Sequence, residues 1–174
     1  MKITWFGQSA LRIHLGGQVV VIDAGQANAG VDQGELRSGA DIVLALDDPQ
    51  PKVDGSTWKP RPAQRLLEAG EQTRPVDMWS PGQRSVLIDP DEDMPLLVAG
   101  GPVPALGRWI ERTVVLMVGS DLAERAQALL AGGAPRLLAL AAEEREVDAA
   151  IGAIRDRLDG TGVVALEPGL AVEA

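Results

Sequence analysis

The sequence predicts a mixed α/β domain built on two sheets. Three observations carry this: a block of three short strands at the start, isolated apolar strand-like runs through the middle, and strand–helix–strand–helix–strand alternation at the end. At 174 residues with 45% apolar and 24% charged side chains, one domain over 1–174 is expected, large enough to bury a proper core.

The opening block, MKITWFGQSALRIHLGGQVVVIDAG, reads as strands over Lys2 to Phe6, Ala10 to Leu15 and Gln18 to Ile22. Gly16-Gly17 between two apolar runs marks a tight hairpin, because glycine accepts the positive φ of a primed turn. Gln26 to Ala40 is expected to be a loop with at most a helical turn around Gln33 to Arg37. Asp41 to Leu46, DIVLAL, reads as a strand buried on both faces. It stops at DDPQPKVDG, Asp47 to Gly55, where two prolines forbid helix and central strand. Ala63 to Ala69 supports a short helix ended by Gly70.

Short strands follow over Pro75 to Trp79, Ser85 to Ile88 and Leu96 to Ala99. The DPDED run between the last two reads as a solvated turn. Its alternative is a cation site of oxygen ligands, without EF-hand spacing. Thr113 to Val118, TVVLMV, is a second fully apolar strand, and Asp121 with Glu124 has the spacing of a capping box for a helix closed by Gly132-Gly133. The glycine between them lacks the companions and lysine of a phosphate-cradling loop. Arg136 to Leu140 is a strand. Glu143 to Leu158 is an amphipathic helix, with Val147, Ala150, Ile151, Ile154 and Leu158 at helical spacing. Val163 to Leu166 and a final extended piece close the chain. No internal repeat or low-complexity segment interrupts it.

Composition excludes several functions. There are no cysteines and one histidine, which removes disulfides, Cys-based zinc sites and His-rich centres. A net charge of −9 without a basic patch opposes nucleic acid and anionic lipid. No apolar run is long enough to span a bilayer, and the start lacks the zones of a signal peptide, so a cytoplasmic place is expected. Four Trp in a chain with one Phe and no Tyr stand out. They read as core, or, for Trp58 and Trp79 in Pro/Gly-rich surroundings, as a platform for a ligand or partner.

The opening block resembles the first three strands of the metallo-β-lactamase-fold hydrolases, above all the branch of ascorbate-6-phosphate lactonase-like metal-dependent hydrolases. DIVLAL is similar to the strand before that family's metal motif, and WSPGQ, Trp79 to Gln83, resembles its mid-chain Pro-Gly turn. RTVVLMVG, PRLLAL and VVALEPGLAVEA are similar to its second half. The resemblance implies a trimmed αββα four-layer sandwich with a metal site at one edge of the two sheets. It also implies a His-x-His-x-Asp-His motif after DIVLAL, where imidazoles and carboxylates hold zinc and generate hydroxide. Those positions fall on Asp47, Pro49, Pro51 and Lys52, and the family's Gly-His-Ser histidine is Gln8. The later strand end, LALAAEE, supplies no histidine, and His14 sits within a strand as a core or sheet-face residue. Zinc is therefore not expected.

The first expectation for function is a catalytically inactive member of the fold used as a binding or interaction module, its partner a protein or a second copy. The second is a hydrolase with a rebuilt site. Asp47, Asp48, Gln50, Lys52 and Asp54 would then line the cleft mouth with Gln8 opposite, doing acid–base work or holding a hard cation. A small-molecule sensor using the same cleft is the third. The bland alternative for Asp47 to Gly55 is a polar surface loop stiffened by prolines.

Overall fold

Alternation in the opening block decides which way the first sheet faces. In a computed structural model that describes residues 1–62, 74–91 and 94–174, Leu11, Ile13 and Leu15 are buried while Arg12 is half-buried and His14 exposed. Period-two patterning puts the two sets on opposite faces. The strands are β1 (Lys2–Trp5), β2 (Leu11–Leu15) and β3 (Gln18–Ile22). Gly16 and Gly17 take φ of 56° and 74°, and Leu15 lies opposite Gln18, so the expected hairpin forms at the expected glycines. After β3 come a one-turn helix α1 (Gln33–Arg37) and β4 (Ile42–Leu44), which pairs with β3 in parallel.

The second sheet begins with β5 (Asp77–Trp79), β6 (Ser85–Asp89) and β7 (Leu96–Ala99). It continues with β8 (Val114–Val118), α2 (Leu122–Gly132), β9 (Leu137–Ala141), α3 (Glu144–Ile154) and β10 (Gly162–Ala165). The last strand, β11 (Ala171–Glu173), returns to pair with β1. The orders are β11-β1-β2-β3-β4 and β10-β9-β8-β7-β6-β5. The chain is thus a mixed α/β sandwich of two sheets.

Two hydrophobic layers hold it. Between the sheets, Ile3, Leu11, Ile13 and Ile22 meet Val86, Ile88, Leu96 and Leu116. On the other face of the second sheet, Leu87, Leu97, Met117 and Leu140 meet Leu122, Ala126 and Leu129 of α2 and Val147, Ala150 and Ile154 of α3. Strands β6, β7 and β8 are buried throughout, β7 and β8 as unbroken apolar runs and β6 as Val86-Leu87-Ile88 between buried Ser85 and Asp89. The outer face of the first sheet carries only a small cluster, Val21, Ala24 and Leu36, under α1.

Several expectations need correcting. DIVLAL is not buried on both faces: β4 is the edge strand of its sheet and Val43 is 50% exposed. The layer that would have covered it is the five-residue α1. The capping box does not form, because Asp121 sits at φ 58° in the left-handed region and its carboxylate takes the Ser120 hydroxyl instead. The first amide of α2, from Leu122, donates to the Glu146 carboxylate of α3 at 3.3 Å, a cap supplied from the neighbouring helix. The helix expected to reach Leu158 becomes a 3-10 turn at Arg155–Arg157, and Ile151 is exposed. The expected helix over Ala63 to Ala69, and Glu92 and Asp93 of the acidic run, lie outside the described residues.

Candidate functional site

In α/β sheets the ligand edge is the one where parallel strands end. Strands β3, β4, β7, β8, β9 and β10 run in parallel pairs and end on one edge of the sandwich. β1 ends there too, and the antiparallel β6 starts there. Residues with positive φ other than glycine are uncommon and gather where structure over-determines the backbone. Of the five such residues described, Gln8 (44°), Asp23 (48°), Arg84 (49°) and Asp121 (58°) sit on this edge, and Asp159 does not. This edge is the candidate site.

Its carboxylates are engaged in bonds to their surroundings. Asp23 donates its amide to the Leu44 carbonyl at 2.9 Å and accepts the Leu46 amide at 3.1 Å, fixing the chain as it leaves β4. Asp47, the first residue beyond, pairs with Arg84 at the start of β6 and so ties one sheet to the other. Asp48 accepts the Ala45 amide at 2.6 Å. Asp54 accepts the amide and the hydroxyl of Ser56 at 2.9 and 2.6 Å, and these bonds hold its carboxyl below the ordinary range. Lys52 is exposed, and the backbone around it bridges to the second sheet: Ser80 donates to Pro51 at 2.9 Å, and Val53 to Ser80 at 3.1 Å. Pro49 and Pro51 are themselves exposed and fill no cavity.

The far end of the loop is anchored by tryptophans. Trp109 donates its indole N–H to the Gly55 carbonyl at 2.6 Å, and Gly107 donates its amide to the same oxygen at 2.9 Å. A Cβ on Gly55 would come within 2.6 Å of the Ala105 carbonyl, so glycine is required for this close approach. Trp58 is buried, with edge-on contacts to Trp79 and Trp109 at 5.7 and 4.8 Å between ring centroids.

Beneath the edge lies a residue with no role assigned from the sequence. Arg125, 9% exposed, donates to the carbonyls of Gly101 and Val118 at 2.9 Å, Ser120 at 3.0 Å and Ala99 at 2.5 Å. Burial pulls its basicity down, with Asp121 opposing and Arg84 adding to the shift. The guanidinium fork gathers the carbonyl ends of β7 and β8 and the turns after them. The available signal was its place beside Leu122, Ala126 and Leu129 on the apolar stripe of α2.

The expected cleft residues are not assembled into one wall. Gln8 is exposed at the turn after β1, where its carbonyl takes the Trp5 indole N–H at 3.0 Å. Trp58 and Trp79 pack on the helix side of the second sheet. Gln50 is half-buried in the loop. Among the described residues, no three His, Asp or Glu side chains stand close enough to hold a metal. Of three surface hollows of about 490, 420 and 740 Å³, the first borders this edge beside Phe6, Asn28 and Gly169, and neither the loop carboxylates nor Lys52 line any of them. His14, on the outer sheet face, borders the second. No described helix is long and apolar enough to cross a membrane. Compared with family models, curated proteins and solved structures, the chain matches none.

Proposed function

We propose that the chain is a catalytically inactive relative of the metallo-β-lactamase-fold hydrolases, working in the cytoplasm as a binding or protein-interaction module. The observation that carries this reading is the use of Asp47, Asp48 and Asp54. Each carboxylate engages an arginine, an amide or a hydroxyl of its own surroundings: Asp47 ties the loop to Arg84 of the second sheet, and Asp48 and Asp54 brace the loop's own turns. A hydrolytic site needs the opposite: donors left free to converge on a metal or a water. The loop occupies the stretch where the resemblance puts the zinc motif, with Asp47 as the one residue of ligating type at the motif positions.

The competing reading is a hydrolase with a rebuilt carboxylate and lysine site. Purified protein supplied with zinc, manganese or magnesium, and assayed on lactone, phosphodiester and ester probes, is expected to show no turnover above buffer. Metal content after dialysis is expected to be far below one ion per chain. Turnover that disappears in Asp47→Asn, or one tightly held ion per chain, would sink the inactive reading.

A further inference from the structure

We infer that a second copy of this chain docks along β10 and the outer flank of α3, giving a two-fold dimer with one continuous sheet. This deepens the reading above by naming the partner. It rests on that reading only for the kind of work the chain does.

An exposed edge strand offers unpaired N–H and C=O groups, and proteins blunt such edges with charges, proline or a covering segment. β11 carries Glu173, β4 is flanked by Asp41 and Asp47, and β5 is bordered by the Lys52–Ser80 bridge. β10, Gly-Val-Val-Ala, carries no charge or proline within the strand, and Asp159, Glu167 and Pro168 lie beyond its ends. Gly162 and Leu166 donate inward, to Arg136 and Leu140 of the β9 side. By the parallel ladder's alternation, Val163 and Ala165 turn their backbone groups outward. Two copies related by a two-fold axis at Val164 would place Val163 of each opposite Ala165 of the other. That arrangement satisfies the outward groups reciprocally.

The helix above this edge is complementary to itself in the same symmetry. One side of α3 faces α2, where Glu146 caps Leu122 and the Ala153 carbonyl accepts from Gln127. Helical spacing puts Glu144, Asp148 and Ile151 on the other, β10 side, and Arg155 follows in the 3-10 turn at the end of the helix. Ile151 is 40% exposed, one of the few large apolar side chains left in water. The Arg155 side chain is 74% exposed, with a loose 3.8 Å approach to Asp156. Antiparallel pairing of α3 with its copy sets Glu144 opposite Arg155 twice. The same register brings Asp148 opposite Ile151 and not opposite another acid. An isologous interface requires this self-complementarity, and it works against the mutual repulsion of chains at −9.

Sedimentation velocity over a micromolar concentration series tests the inference on the whole chain. The wild type is expected to shift with concentration toward twice the 18.3 kDa of one chain. Arg155→Glu, which faces Glu144 of the second copy, should weaken association by about tenfold or more. Glu144→Arg with Arg155→Glu should restore it to within about threefold, while circular dichroism shows all forms folded. A wild type that stays monomeric at the highest concentration overturns the inference. So does a dimer that neither the single nor the double exchange alters. Metal and turnover assays bear on the inactive reading, so failure of one leaves the other standing.

Discussion

Replacing Arg125 by alanine is expected to cost about 3–5 kcal/mol of folding stability, a large share of what a domain of this size has. The guanidinium is the donor to four carbonyls at the ends of β7 and β8 and in the turns beyond them. Alanine leaves those acceptors without it and empties most of a buried side chain's volume. Each buried acceptor left unmet costs about 1–3 kcal/mol, less where water can enter. Lysine keeps the charge but cannot reproduce the planar fork. Arg125→Lys should therefore fall between, losing about 2 kcal/mol. Urea denaturation with the slope checked for constancy reads both. A loss below about 1 kcal/mol for alanine would mean that the fork does not organise this edge.

Asp89 should behave differently, and the contrast is informative. Its side chain is 1% exposed at the end of β6. It accepts the Arg61 amide at 2.8 Å and faces the Arg61 guanidinium at 3.6 Å, which also bonds the Pro75 and Asp89 carbonyls and pairs with Asp77 at 2.8 Å. Burial is the main cause that raises its carboxyl above the ordinary 3.8, with the Arg61 contacts pulling the other way. A raised folded value means that the fold favours the protonated form. That contribution is complete below the ordinary value and is lost as pH rises through the folded one. Asp89→Asn, which keeps an acceptor and drops the charge, should cost about 1 kcal/mol or less at neutral pH. Asp89→Ala should cost roughly 3 kcal/mol, since Arg61 then loses a buried partner. As pH falls from 7 toward the ordinary value of 3.8, wild type should gain stability relative to Asp89→Asn. A gap that moves the other way would show that the ion pair outweighs burial.

The legible parts of the fold were those where one local rule dominates. The β2–β3 hairpin follows from two glycines, the strands of the second sheet from unbroken apolar runs, and α3 from its spacing. What stayed hidden depends on partners that are distant in sequence. Three apolar residues in β4 read alike at an edge or in a centre, because whether a helix covers them is decided elsewhere. Asp121 and Glu124 have capping-box spacing, yet the left-handed turn at Asp121 turns its carboxylate away and a glutamate from α3 takes the role. The apolar stripe of α2 marks Arg125 as inward-facing, but nothing local names the carbonyls of two strands that its guanidinium meets. In the site, residue types at Asp47, Asp48, Lys52 and Asp54 were visible from the sequence, but the bonds of the three carboxylates to Arg84, Ala45 and Ser56 were not. A carboxylate free for chemistry and one spent on a turn look the same in a sequence.

The loop from Asp47 to Gly55 is where the account stands or falls, and calorimetric titration of the purified chain with zinc near neutral pH addresses it most directly. If the loop carboxylates are spent on Arg84, Ala45 and Ser56, titration gives no saturable heat at micromolar zinc, and Asp47→Asn gives the same trace. Stoichiometric binding that Asp47→Asn removes would contradict it, and would return this edge to metal chemistry.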